Sequence, residues 1–304
     1  MTQPESRLSQ TSLGMLWMLL TGLCFVGVTV TVRYIGPRIP ATEAAFLRYV
    51  FGTIMLTPIL FRLIRGSLKI QSWTMMGARG IAHGLGVSLW FFAMARLPIA
   101  EVTALGYVTP ILVTLGAALF LGERLQIRRL FAIALGLIGV MTILRPGFSP
   151  ISIGQFAQLA ATPLFAASFL LAKKMTGKED LTVIVAGLSV VCTLALLPGA
   201  VINWTNPYPA EIALLILTAF LATVGHYTMT RAFSLAPLAT LQPVNFLQLL
   251  WATLLGVILF GESIDIFVVI GGTILVISTS YIAHREAVID RRRKEAEKNR
   301  GKIG

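Results

Sequence analysis

The chain has 304 residues, 56% of them hydrophobic and only 12% charged, with 25 Lys and Arg against 13 Asp and Glu. A soluble domain carries about 25% charged residues to keep its surface wet, so the composition excludes an ordinary soluble protein and points to a lipid-facing exterior. The net charge of +12 does not describe a nucleic-acid binder, because many basic residues sit between apolar runs rather than on one wet face.

A membrane helix needs about 20 mainly apolar residues. Segments near that length recur, in chain order, at 14–34, 42–62, 73–95, 100–121, 128–145, 153–173, 181–203, 211–233, 239–260 and 265–284. Residues 1–13 form a short polar N-terminal segment. The apolar stretch after it is longer than a signal-peptide core and has no small-residue cleavage site, so it reads as a retained first helix. Helices are expected rather than strands, because no run alternates with period two and a bilayer demands internal hydrogen bonding. The breaks carry Pro, Gly or charge, as at Gly36-Pro37, Leu97-Pro98, Arg145-Pro146-Gly147 and Ala236-Pro237. Residues 285–304 form a basic tail whose Arg291–Lys294 run suits anionic inner-leaflet lipid. Cys24 and Cys192 lie inside apolar segments and make neither a disulfide framework nor a metal spacing; no cofactor is expected.

The basic residues give a direction. With the N-terminus in the cytoplasm, 20 Lys and Arg fall inside, and five fall outside: Arg33, Arg38, Arg48, Arg96 and Arg145. Positive charge is retained on the inside, so both termini are predicted to be cytoplasmic and the number of spans even.

A repeat organises the ten segments. A shift of 139 residues lays 95–123 on 234–262 without a gap, so that Pro98 meets Pro237, Thr114 meets Thr253, Gly122 meets Gly261 and Glu123 meets Glu262. A shift of 140 aligns the earlier parts: Gly14 with Gly154, Phe25 with Phe165, Arg33 with Lys173 and Pro58 with Pro198. Matched Leu or Ala mean little between apolar helices; matched Pro and Gly-Glu at helix boundaries mean more. The expected fold class is an all-α integral membrane protein with ten transmembrane helices in two inverted five-helix repeats, 14–146 and 153–284. Five is odd, so the second unit enters the membrane from the opposite side. Inverted repeats are typical of alternating-access carriers, with the substrate near the midplane between the halves.

The segment Glu43–Tyr49, "EAAFLRY", and the block "LPIAEVTAL…TPILVTLGAALFLGE" with its second copy resemble the EamA domain of the drug/metabolite transporter superfamily, over residues 14–284. The resemblance implies a secondary carrier of the bacterial inner membrane that moves small organic solutes such as amino acids, nucleotide-like metabolites, vitamins or drugs. The second copy departs from the first at Val183 and Leu188, which stand where Glu43 and Arg48 would repeat.

Polar groups inside the spans need a reason, since a mid-membrane Arg costs about 2.5–3.5 kcal/mol. Arg48, two turns into the second span, either attracts a substrate carboxylate or phosphate, or snorkels outward and pairs with Glu43. In the fourth and ninth spans Thr103, Gly106 and Thr109 match Gln242, Asn245 and Gln248. Spacing by three keeps each trio within about a third of its helix circumference. Two symmetry-related polar faces, with Tyr107 beside the first, are expected to line a cavity; interhelical hydrogen bonding is the plainer reading. Trp90 and Trp251 are candidates for stacking on a planar substrate. A histidine can titrate near neutral pH, so His83 and His226 are candidates for a coupling proton, with Glu43 as a third, although a neutral His bonded between helices serves structure alone. Glu123 and Glu262 read as helix-end caps, and Gly136, Gly139, Gly271 and Gly272 as close-packing positions.

The leading function is a carrier for a small organic molecule, with lipid and a coupling ion or proton as further partners. A membrane enzyme would need a dense polar face of His, Asp, Glu or Ser. A channel would need a filter-like loop or a ring of charge. No Walker sequence is present to drive a pump.

Overall fold

The computed structural model describes residues 10–66, 69–121, 127–148, 150–175, 178–235 and 238–300. Twelve helices account for most of these: α1 (Gln10–Ile35), α2 (Ala41–Met55), α3 (Thr57–Ile64), α4 (Trp73–Met94), α5 (Ile99–Gly106), α6 (Val108–Leu121), α7 (Ile127–Leu144), α8 (Ile153–Met175), α9 (Leu181–Ile202), α10 (Pro209–Leu235), α11 (Leu238–Phe260) and α12 (Ile266–Arg300). Each of the ten apolar segments coincides with one helix or with a broken pair. The segments expected at 42–62 and 100–121 are the broken ones. The α2–α3 pair bends by 66° at Leu56. Pro58, in the first turn of α3, has no N–H to bond backward and its ring crowds the preceding turn. The second break falls at Tyr107, three residues before Pro110, for the same reason. Pro163 and Pro198 stay inside continuous helices.

By length and composition, four helices can cross a membrane among the described residues, α1, α8, α9 and α10, or five if α2 and α3 form one span. Apolar stretches at 99–113, 130–144, 247–260 and 266–281 are shorter. With 35 residues, α12 is about 52 Å long at 1.5 Å per residue, well past an apolar layer of about 30 Å.

Packing is organised between the halves. α1 lies along α10, and α4 along α8; α2 faces α9, and α7 faces α12. The shift of 139–140 residues exchanges α1 with α8, α2 with α9, α4 with α10, α5–α6 with α11, and α7 with α12. Under that exchange the α1–α10 contact becomes α8–α4, the α1–α11 contact becomes α8 against α5 and α6, and the α2–α9 and α7–α12 contacts map onto themselves. Individual residues follow. Thr53 Oγ1 lies 3.3 Å from Thr193 Oγ1, the residue 140 positions on. Ser278 Oγ donates to Ala132 O at 2.6 Å. The images of that pair, Gly139 and Gly271, also meet: a Cβ on Gly139 would lie 2.8 Å from Gly271 O, and one on Gly271 2.6 Å from Gly139 O. Only glycine permits this approach of two backbones. Two threonine pairs hold α1 to α10, Thr21–Thr228 at 2.9 Å and Thr31–Thr218 at 2.7 Å.

The α1–α2, α4–α5, α7–α8, α9–α10 and α11–α12 connections meet at one end of the bundle. Arg33 pairs with Glu262, Arg38 with Glu211 and Arg145 with Asp265, while Glu101 accepts from Gln155 Nε2 at 2.5 Å. Gly36 (φ 66°) and Gly261 (φ 63°) end α1 and α11 there in the left-handed region that favours glycine. At the other end Glu179 joins the α8–α9 connection to the start of α4.

Candidate functional site

Arg48 is carried into the core by α2, whose Glu43, Ala44, Ala45, Tyr49 and Gly52 share the buried side. It is 7% exposed, and its Nη1 has no hydrogen-bond partner. Its Cζ sits 4.1 Å from the Tyr49 ring centroid. Beside it lies a cavity of about 10 Å³, lined by Arg48, Gly52, Ser189, Thr223 and His226 among others, with room for about one water. The pairing with Glu43 that the sequence allowed is absent. Five residues apart, the two side chains leave the helix about 140° apart, and Glu43 Oε2 accepts from Thr205 N at 2.8 Å instead.

The two histidines, on α4 and α10, come together. Their ring centroids are 5.9 Å apart, so the candidates named separately in the sequence form one pair across the α4–α10 boundary. Ser168 Oγ lies 3.1 Å from His83 Nδ1. Aromatic edges close the pair on both sides: Phe25 stands 5.3 Å from His226, Phe165 5.3 Å from His83, and Tyr49 6.5 Å from His83. One turn before His83, the buried Arg79 donates from Nη1 to Ile184 O at 3.1 Å. Both guanidinium groups lie within electrostatic reach of both histidines.

A second polar group lies where α5 packs on α11. Thr103 Oγ1 is occupied by its own helix, donating to Ile99 O at 2.8 Å. Tyr107 and Thr109 are buried at the α5–α6 break, and Gln248 is half-buried on α11. Trp251 Nε1 is buried without a partner. The side chains of Gln242 and Asn245 lie outside the described residues. Facing this group from α8 is Gln158, which the sequence reading missed. It is buried with Oε1 unpartnered, and a Cβ on Gly106 would lie 3.5 Å from its Nε2. Its signal was the Gln155/Gln158 spacing of three in an apolar helix. Trp90 packs on Phe91 with ring centroids 5.4 Å apart. A larger recess of about 460 Å³ opens between α1, α2 and α4, lined by Ile39, Thr42, Ser88, Phe92 and others.

The EamA-like transporter family matches residues 12–145 and again 152–283. The chain belongs to that family. As an EamA-like transporter it is a multi-pass membrane protein of the drug/metabolite transporter superfamily that moves a small metabolite. Its relatives include the riboflavin transporter of Rhizobium johnstonii, 31% identical with 95% of this chain and 96% of that one covered. The S-adenosylmethionine uptake transporter of Rickettsia bellii is 24% identical, with 90% and 94% covered. The pseudopaline exporter of Pseudomonas aeruginosa is 25% identical, with 87% and 94% covered. A solved crystal structure, 19% identical, shares the fold at a TM-score of 0.62, covering 90% of this chain and 98% of its own.

Two carboxylates do more in this EamA-like transporter than the sequence reading allowed. Glu262 is not simply a helix-end cap. Its Oε1 lies 3.2 Å from Arg33 Nη2, and its Oε2 accepts from Ile99 N at 2.9 Å, while Arg33 Nη1 donates to Met94 O at 3.3 Å. The pair therefore fastens α1, α4, α5 and α11 at one point. Glu179 supplies what the second repeat lacks at Val183. One turn ahead of that position, its Oε1 accepts from the backbone of Gln71 at 2.7 Å and Ser72 at 2.8 Å. Glu43 does the matching work with Thr205 at the opposite end.

Proposed function

We propose that the protein is an alternating-access carrier of ten spans in two inverted repeats, with both termini cytoplasmic in a bacterial inner membrane. The observation that carries this reading is the exchange of contacts between the halves, with Thr53 meeting Thr193 and the Ala132–Ser278 contact repeated as Gly139–Gly271. Five alternate connections linked at one end are what ten successive crossings produce. The substrate class is a heteroaromatic or zwitterionic metabolite, for which the relatives named for riboflavin and S-adenosylmethionine give support.

The Arg33–Glu262 pair then closes the outer side. Its repeat images are Lys173 and Glu123, whose side chains lie outside the described residues. Substrate sits between the His83–His226 pair and the α5–α11 polar group, touched by residues drawn from Arg48, Thr103, Tyr107, Thr109, Gln242, Asn245, Gln248, Trp90 and Trp251. His83 and His226 carry the coupling proton, held between halves where a change of packing alters their surroundings; Glu43 is engaged with Thr205 and is the weaker candidate.

Purified protein in liposomes tests the carrier reading with labelled riboflavin and S-adenosylmethionine. Saturable uptake of either, accelerated by the unlabelled compound on the opposite side, is expected; linear, unsaturable flux would refute it. Replacement of both histidines by Gln should abolish the dependence of uptake on a pH gradient.

A further inference from the structure

Burying a cation without a counter-ion is costly, and the core holds one at Arg48 with no carboxylate against it among the described residues. The buried acids are engaged elsewhere: Glu43 with Thr205 N, Glu101 with Gln155 and Glu179 with the amides of Gln71 and Ser72. Arg48 is not snorkelling, since it is 7% exposed. It lines the small cavity between α2, α9 and α10, where its Nη1 has no partner. Gly52 keeps that space open, because a Cβ there would stand 3.8 Å from Thr223 Oγ1 and 4.0 Å from Ser189 Oγ. Leu188, at the repeat position of Arg48, lines the same cavity, so the cation comes from one half alone.

We propose that the Arg48 cavity receives a carboxylate or phosphoryl group of the transported solute, with the Ser189 hydroxyl as a second donor. The proposal rests on the carrier reading and narrows it to organic anions and zwitterions. In the form described here the cavity holds about one water, so the anion enters when α2 parts from α9 and α10. The planar guanidinium matches either anion through two parallel N–H groups, and the aromatic edges around His83 and His226 leave the rest of the solute an apolar, ring-lined neighbourhood.

The test reads the sign of the cavity's field in the full-length protein, reconstituted in liposomes, without knowing the solute. Cys24 and Cys192 are replaced by Ala, and a single reporter is placed in the cavity wall as Val185→Cys, with Ala219→Cys as a second, independent reporter. Each reacts with a sulfonate-bearing and a trimethylammonium-bearing methanethiosulfonate of similar size. After correction for intrinsic reactivity, the anionic reagent should react at least about tenfold faster, a ratio consistent with one unscreened charge within several ångströms. The ratio should fall toward one in Arg48→Gln and survive in Arg48→Lys. Equal rates, a cationic preference, a ratio untouched by Arg48→Gln, or inertness to both reagents at both reporters would overturn the proposal. Protection by riboflavin 5′-phosphate but not riboflavin assigns a phosphoryl group. Protection by S-adenosylmethionine but not its decarboxylated form assigns a carboxylate. Saturable counter-flow can persist when the charge preference is absent, so this failure is distinct from failure of the carrier reading.

Discussion

Breaking the Arg33–Glu262 pair should release the end of the bundle that it fastens. At 3.2 Å and an effective dielectric constant of about 20, the raw attraction is about 5 kcal/mol. The side chains are 22% and 10% exposed, so solvent screening and the cost of desolvation reduce the net value to about 1–2 kcal/mol. Glu262→Gln keeps a carbonyl for the Ile99 amide and removes the charge facing Arg33. The population of the opened form should therefore rise about 5- to 30-fold. A thiol at Ile99, which is fully buried behind the pair, reports that opening in a Cys24→Ala/Cys192→Ala background, because a buried group reacts only when its surroundings open. Ile99→Cys should react about 5- to 30-fold faster with a small water-soluble reagent when Glu262→Gln is added. Arg33→Gln should give a similar gain, and the double variant no more than either alone, since partners in one contact are not additive. An unchanged rate, or gains that multiply in the double variant, would refute the assignment of this pair as a fastening.

Three further outcomes follow from the packing. Thr53→Cys with Thr193→Cys should form an intramolecular disulfide under mild oxidant, detectable by peptide mass; failure to cross-link would place the two repeat images apart. Gly271→Ala should lower thermal stability by about 1–3 kcal/mol through overpacking against Gly139 and Ile143, whereas Gly77→Ala, with open space around its Cβ position, should change it little. Asp180→Ala should remove the cap of α9, where Oδ1 accepts from Thr182 N at 2.8 Å, at a cost of about 1 kcal/mol. Those Thr182 bonds hold the Asp180 carboxyl below its usual range. The cap therefore contributes fully above about pH 4, and the contribution is lost as pH falls through the lowered value. The stability gap between wild type and Asp180→Ala should close in acid, and a gap independent of pH would sink the linkage.

The repeat was legible because Pro and Gly-Glu mark helix boundaries in both copies, where composition alone cannot imitate them. Breaks were harder to read. Pro58 and Pro110 accompany divided helices while Pro163 and Pro198 stay inside continuous ones, so a Pro in an apolar run does not by itself tell a break from an unbroken helix. Glu179 escaped notice because its partner role moved one turn along the chain relative to Glu43, and a gapless alignment compares positions, not reach. Arg48, His83 and His226 each stood out as costly residues in apolar segments. That His83 and His226 would form a pair was not readable, since they are joined only by packing between the halves. Glu262 looked like a terminus marker because Arg33, its partner, is most of the chain away.

The one-sided placement of Arg48 has a thermodynamic consequence. If the halves were identical, exchanging them would convert one end state of the carrier into the other, and the empty protein would divide its time equally between them. Arg48 in one half and Leu188 in the other remove that degeneracy. In the carrier reading, one orientation leaves the unpaired guanidinium better solvated than the other, so the unloaded protein has a resting side, and a bound anion, by neutralising the charge, erases much of that bias and frees the transition.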